Sequence, residues 1–278
     1  MSYSKQHDLG IAGLAILRNW IIGDEKTTQS IIEEINKISS AEDISTPEEG
    51  AKKFDVKSGY EAWSETYDSG PNILIDAEEP VVKSILKEIP LGRTLDAACG
   101  TGRYAEFLYS LGHKVTGVDL STEILKKAKA YNQHINFIKG NLTSLPLDDS
   151  EFDLTICALA ISHYPNITKI LSELKRVTRP GGHIILSDIH PWLVVLGAQA
   201  DFHDKDGKWG YVPNYIHWHS DYIQAFDTMD LRLLRCEEPK IGQKEVELVV
   251  SLGSDLSVKT TATALLGLPV AVVWVLER

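Results

Sequence analysis

Cysteine is scarce in this chain of 278 residues, which carries only Cys99, Cys157 and Cys236. Three widely separated cysteines cannot form a disulfide framework, and they fit a reducing cytosol. Long apolar runs are also missing. Residues 9–22 are interrupted by Arg18 and Asn19 and follow His7-Asp8 rather than a basic leader, so they read as no secretory signal. They fall short of the ~20 apolar residues that cross a bilayer. Residues 265–276 are shorter still, contain Pro269 and read as a buried strand. Positive charge is in deficit: 28 Lys and Arg stand against 39 Asp and Glu, for a formal charge of −11 without any long basic run. Such a surface repels duplex nucleic acid and anionic membranes. With no internal repeat and no low-complexity segment, the expectation is a cytoplasmic protein with neither a nucleic-acid nor a membrane partner. No feature of the sequence sets an oligomeric state.

What is present is an ordinary globular composition, 43% apolar and 24% charged, long enough to bury a sizeable core. Residues 9–22 and 26–38 are helical in period, with Ile31, Ile32, Ile35 and Ile38 at spacings of three and four. Their apolar faces need burial, and packing on the parent domain is the simplest outcome. The polar stretch 39–50, with Pro47, reads as a linker, so residues 1–50 form a helical extension and 51–278 the main domain. From about residue 72, short apolar strands at 94–98, 114–120, 135–140, 152–160 and 182–189 alternate with helical segments at 104–111, 123–131 and 167–178. That alternation predicts an α/β fold, a doubly wound parallel sheet covered on both faces.

Ligands of such sheets bind at the carboxyl ends of the strands. The first of these strands runs into "DAACGTGRYA", residues 96–105. Gly100 and Gly102 permit a tight turn and close approach of backbone to a ligand, and the helix that follows aims free N–H groups at it. Gly100-x-Gly102-x-x-Ala105 also satisfies the relaxed dinucleotide fingerprint, so an NAD-dependent oxidoreductase stays open on this loop alone. Asp119 ends the next strand, seventeen positions after Gly102, where a carboxylate can accept from both hydroxyls of an adenosine ribose. Its competing role, capping a helix, is already available to Ser121. Further on, Asn141 can present its amide and backbone to an adenine edge with Leu142 on the ring, although Gly140-Asn141 is equally good turn chemistry.

Three blocks, "LDAACGTGRYAEFLYSLGHKVTGVDLS" (95–121), "GNLTSLPLDDSEFDLTICALAISHY" (140–164) and "ELKRVTRPGGHIILSDIHPWL" (173–193), resemble in order and separation the class I S-adenosylmethionine-dependent methyltransferases of the small-molecule branch. The chain ends resemble a bacterial natural-product subgroup. Ala98 departs from the glycine usual in the family, and Asn141 from the usual aspartate, so that an amide oxygen would have to recognise adenine N6. The resemblance implies a seven-stranded sheet with its last strand, 270–276, antiparallel, and S-adenosyl-L-methionine as cofactor. It implies that Asp96, Gly100 and Gly102 border the methionine moiety, Asp119 the ribose, Asn141 and Leu142 the adenine, and that Ala158 lies beneath the sulfonium. "GYEAWSETYD" (59–68) resembles the family's tyrosine-bearing helix, with Tyr60 and Tyr67 two turns apart on one face, against the competing reading of core aromatic packing.

The implied reaction is methyl transfer to a small-molecule oxygen or nitrogen or to a peptide, methylation of a lanthipeptide C-terminal carboxylate being one such activity. A carboxylate acceptor needs no base, whereas a phenol, amine or thiol does. His163, His190 and His219 are the candidate catalytic groups, with His183 and His113 read as structural. Residues 190–219, where Asp206-Gly207 signals a hairpin, read as a lid or floor for the acceptor, walled by Tyr215 and Trp218. A metal held by His217-x-His219, joined by His190 or His203, is weighed against that lining role. The expectation is a metal-independent enzyme. A non-methylating, pericyclase-like use of the fold stands beside it.

Overall fold

The computed structural model describes residues 5–40 and 50–278. Most of the expected linker, 41–49, therefore lies outside the described residues. Along the chain the elements are α1 (Lys5–Asn19), α2 (Glu25–Ser39), β1 (Lys52–Lys53), α3 (Val56–Trp63), α4 (Ile73–Leu86), β2 (Arg93–Ala97), α5 (Arg103–Leu111), β3 (Lys114–Asp119), α6 (Thr122–Tyr131) and β4 (Asn136–Lys139). There follow β5 (Phe152–Ala158), a 3₁₀ turn at Ile161–His163, α7 (Ile167–Val177), β6 (Thr178–Ile189), α8 (Pro191–Val195), β7 (Ala200–His203), β8 (Trp209–Val212), α9 (His219–Thr228), β9 (Arg232–Glu237), α10 (Gln243–Ser251), α11 (Val258–Leu265) and β10 (Ala271–Glu277).

The chain divides into two compact units. The larger (51–70, 78–238 and 271–278) is built on a seven-stranded sheet in the order β4-β3-β2-β5-β6-β10-β9. Strands β2 to β6 pair in parallel, and β10 runs antiparallel to both β6 and β9. The expected doubly wound sheet with an antiparallel last strand is thus the one observed. Alternation along β10 shows how the sheet builds two cores. Val272, Trp274 and Leu276 point into the core that also holds Ile170, Leu174 and Phe226 of α7 and α9. Val273 and Val275 point into the opposite core with Val82, Ile85, Leu108 and Leu125 of α4, α5 and α6. A strand buried on both faces must be apolar at every position, which is why residues 271–276 read as one continuous run.

The smaller unit gathers residues 1–50, 71–77 and 239–270. Its helices are tied by polar contacts that the sequence does not announce. The carboxylate of Asp8, only 1% exposed, accepts from Ser254 Oγ at 2.8 Å and from Asp255 N at 2.7 Å. Arg18 closes the C-terminus of α11 by donating to the Ala264 and Leu266 carbonyls, where a cation also complements the helix dipole. Glu34 of α2 accepts from Ser257 and Thr260 at the start of α11. The N-terminal helices therefore share a unit with residues 239–270. Two expectations shift in detail: residues 265–270 are helix end and loop, so the last strand begins only at Ala271, and α1 ends at Asn19, leaving Trp20, Ile21 and Ile22 exposed.

Candidate active site

The loop after β2 is shaped by three positive φ angles within five residues, at Ala98 (59°), Gly100 (55°) and Gly102 (96°). A Cβ on Gly100 would come within 3.3 Å of the Tyr67 hydroxyl, and one on Gly102 within 3.1 Å of Asn132 Nδ2. Gly102 caps α5 without a side chain, and of the first-turn N–H groups that a cap would serve the Ala105 N–H turns to the Asp96 carboxylate. Before the loop, Asp96 is 2% exposed, and its Oδ2 is buried without a hydrogen-bond partner. Burial pushes its carboxyl up to about 7, against the opposing pull of Arg103.

Asp119 closes the loop from the next strand. Its Oδ2 accepts from Gly100 N at 3.0 Å and its Oδ1 from Ser121 N at 2.9 Å. Each carboxylate oxygen retains a second lone pair, so the residue holds the loop and can still accept from a ligand. Burial raises its carboxyl, and those backbone donors work against the rise. Asn141 is more committed than its sequence context implies. Its Oδ1 accepts from both the backbone N and the hydroxyl of Thr143, at 2.9 and 3.0 Å. The expected recognition of adenine N6 by this amide oxygen is therefore replaced by a local turn, and only the amide NH₂ is left to offer. Leu142 is buried in the core beside Val118 and Leu145, and Ala158 is the last residue of β5, followed by Leu159 at φ 53°.

An aromatic group stands over this region. Tyr60 lies on α3, but that helix stops at Trp63, so Tyr67 sits in the following turns and not two helical turns along the same face. The rings still meet at 5.8 Å, and Trp63 touches both, at 5.6 and 5.2 Å. Trp63 also stacks on Phe202 of β7 at 5.2 Å, which joins α3 to residues 190–219. Within that segment the hairpin expected at Asp206-Gly207 forms between β7 and β8. The two-residue β1 extends it to a three-stranded sheet.

The histidines separate into distinct roles. His163, buried in the 3₁₀ turn after β5, has both ring nitrogens engaged. Nδ1 lies 3.1 Å from the Pro213 carbonyl and Nε2 2.7 Å from the Tyr60 hydroxyl. A carbonyl can only accept, so Nδ1 carries the proton and Nε2 accepts from Tyr60. Burial lowers the pKa of His163 and keeps the ring neutral. His217 donates from Nε2 to the Tyr164 carbonyl at 2.8 Å, and His203 stacks on Trp209. The pairing of His217 with His219 around a common ion is therefore not formed. His219 instead lies 5.3 Å from His190, ring to ring, and both approach Glu238 Oε1, at 3.0 and 3.2 Å.

Several participants carry no sequence signal. Glu238 is one. Asp188, 2% exposed near the end of β6, accepts from Tyr222 Oη at 2.9 Å. Burial raises its carboxyl, moderated by Ser162 and Tyr222. Glu78, fully buried, accepts from Tyr104 Oη at 2.6 Å, from Arg103 at 3.2 Å and from Ser187 Oγ. This network anchors the start of α5 to β6. Their side-chain partners lie 19 to 109 positions away, so no local pattern marks them.

Comparison with known proteins places this geometry. Residues 95–186 match the family described as "Methyltransferase domain". A malonyl-[acyl-carrier protein] O-methyltransferase of Pectobacterium atrosepticum is 36% identical over 97 residues, 35% of this chain and 38% of that protein. The chain spans less than half the length of the first curated relatives it matches. Among solved structures, an S-adenosylmethionine dependent methyltransferase from Mesorhizobium loti superposes with a TM-score of 0.58 at 20% identity, over 74% of this chain and 100% of that one. A DhpI-SAH complex does so with 0.57 at 17% identity, over 80% and 94%. Residues 95–186 are thus similar in sequence to a methyltransferase domain, and the sheet that holds them has the class I methyltransferase fold.

Proposed function

We propose that this chain is an S-adenosylmethionine-dependent methyltransferase whose acceptor is a carboxylate, on a small molecule or at the C-terminus of a peptide. The observation that carries the cofactor assignment is the buried, unpartnered Oδ2 of Asp96 beside a loop that Gly100 and Gly102 hold at positive φ, where a Cβ would fit only tightly. A buried carboxylate oxygen without a partner is costly, and the α-ammonium of a bound cofactor would supply the missing donors. Asp119 keeps acceptor capacity that would serve the ribose hydroxyls, the amide NH₂ of Asn141 would face a ring nitrogen of adenine, and the backbone after Ala158 would border the sulfonium. The bound cofactor supplies an electrophilic methyl group, and this chain supplies alignment and exclusion of water. Tyr60 and Tyr67 wall the region with aromatic surface, and His163 orients the Tyr60 hydroxyl.

The state of the buried imidazole supports a carboxylate acceptor. His163 has no free nitrogen with which to take a proton from an acceptor, so the site favours a nucleophile already ionised at neutral pH. A carboxylate is such a group. The relatedness to an O-methyltransferase supports transfer to oxygen, and natural-product tailoring of a peptide carboxylate is the specific activity we favour, in the cytoplasm. Residues 190–219 serve as the acceptor's floor. Incubation with methyl-labelled cofactor and candidate carboxylates tests this. The expected product releases its label as methanol on mild alkaline treatment, as a methyl ester does. An alkali-stable product, an ether or an N-methyl amine, would overturn the carboxylate assignment while leaving the cofactor assignment intact.

A further inference from the structure

We propose that His190, His219 and Glu238 form a binding site for a divalent cation of the zinc class. The three side chains come from separate elements, the residue after β6, the first position of α9 and the residue after β9. Strands β6 and β9 flank β10 on either side, so the sheet itself fixes two of the three. One donor atom from each residue lies within 4.8 Å of the other two. In tetrahedral zinc sites with nitrogen and oxygen at ~2.0–2.1 Å, neighbouring ligands stand about 3.3 Å apart. The two imidazole Nε2 atoms stand 3.2 and 3.0 Å from Glu238 Oε1. At that distance His219 Nε2 is nevertheless buried without a hydrogen bond. His190 Nε2 hydrogen-bonds the same oxygen, whereas His219 Nε2 and the carboxylate are close but not aligned on each other, as two ligands of a common ion would be.

The surroundings hold the His219 ring in place and make only a weak claim on His190. The His219 ring stands edge-on to buried Trp274 at 5.4 Å, and His190 Nδ1 faces the Trp192 N–H at 3.4 Å. That contact is long. Ligation through Nε2 moves the ring proton to Nδ1 and gives it up. Two imidazoles and one carboxylate suit a borderline cation over Mg²⁺ or Ca²⁺, and three protein ligands leave a coordination position open.

The test uses the untagged full chain, freed of metal by chelator dialysis and titrated with Zn²⁺ in competition with a chromophoric chelator. One equivalent should bind, Mg²⁺ should not compete, and Co²⁺ should give the intense visible bands of a low-coordinate nitrogen–oxygen site. His190→Ala, His219→Ala and Glu238→Gln should each weaken Zn²⁺ at least about tenfold, with His203→Ala unchanged. Circular dichroism confirms that each variant is folded, and for one that is not, the Co²⁺ spectrum of the parent chain decides. No stoichiometric Zn²⁺ binding, or binding equal in all four variants, would show the cluster to be an ion pair only and overturn the proposal.

Discussion

Asp96 shows how far a single residue can be read from sequence and where the reading stops. Its place before the glycine loop is legible, but its missing hydrogen-bond partner is not, because that depends on what packs around it. The folded carboxyl titrates at about 7 against 3.8 for the free group. The protonated form is therefore favoured by folding, so the stability it contributes is greatest at low pH and declines as pH rises from about 4 to about 7. Urea unfolding of the cofactor-free protein should show this decline, on the order of a few kcal/mol, and Asp96→Asn should flatten it. An identical pH profile in the variant would refute the shift. Ala98 presents the opposite situation. A non-glycine residue at φ 59° carries strain that glycine relieves, so Ala98→Gly should stabilise the fold by about 1 kcal/mol, read as a higher urea midpoint. A lowered midpoint would mean that the methyl group packs more usefully than the backbone strains. At the wall of the site, Tyr60→Phe leaves His163 Nε2 buried and unpaired, for a loss of about 1–3 kcal/mol of stability. Turnover should fall without a change in its pH dependence, since the pair orients and does not exchange a proton with the acceptor. A new ionisation in the pH–rate profile would contradict that.

Elements buried on both faces of the sheet were the most legible. The runs at 94–98, 114–120 and 152–160 match β2, β3 and β5 to within two residues, because a core strand has no polar face to confuse its pattern. Strand β9 escaped notice for the converse reason. It is a sheet edge, exposed along almost its whole length, with Arg232 and Arg235 paired to Glu277 and Glu237, and charge is what an edge strand needs. The early end of α3 at Trp63 was also illegible, since Ser64 to Tyr67 keep a helical composition while the Tyr67 ring packs edge-on against Trp63. Between elements, the decisive device is Glu78 on α4, which joins α5 and β6 through Arg103, Tyr104 and Ser187. Removing the carboxylate leaves the buried Tyr104 and Ser187 hydroxyls without their acceptor and Arg103 with only the longer contact to Glu79. Glu78→Ala should therefore destabilise by about 3–5 kcal/mol, read as a lower midpoint in chemical denaturation. A change below about 1 kcal/mol would show that water replaces the carboxylate easily.

For the whole molecule, periodicity located α1 and α2, yet their grouping with residues 239–270 rests on contacts across more than 220 positions, such as Asp8 with Ser254 and Glu34 with Ser257. No one-dimensional pattern holds that information. The three spaced blocks, in contrast, specified the class of sheet, since strand order and loop chemistry repeat wherever this fold binds its ligand. The candidate acceptor face was least legible, because His190, His219 and Glu238 acquire their meaning only when β6, α9 and β9 end together. The central claim is that the loop of Gly100 and Gly102, with Asp96 and Asp119, binds an adenosine sulfonium cofactor. Calorimetric titration of the full chain with S-adenosylhomocysteine and, separately, with NAD tests it most directly. One equivalent of S-adenosylhomocysteine should bind, weakened at least about tenfold (about 1.4 kcal/mol) by Asp119→Ala, with no heat from NAD. Stoichiometric NAD binding without S-adenosylhomocysteine binding would contradict the account.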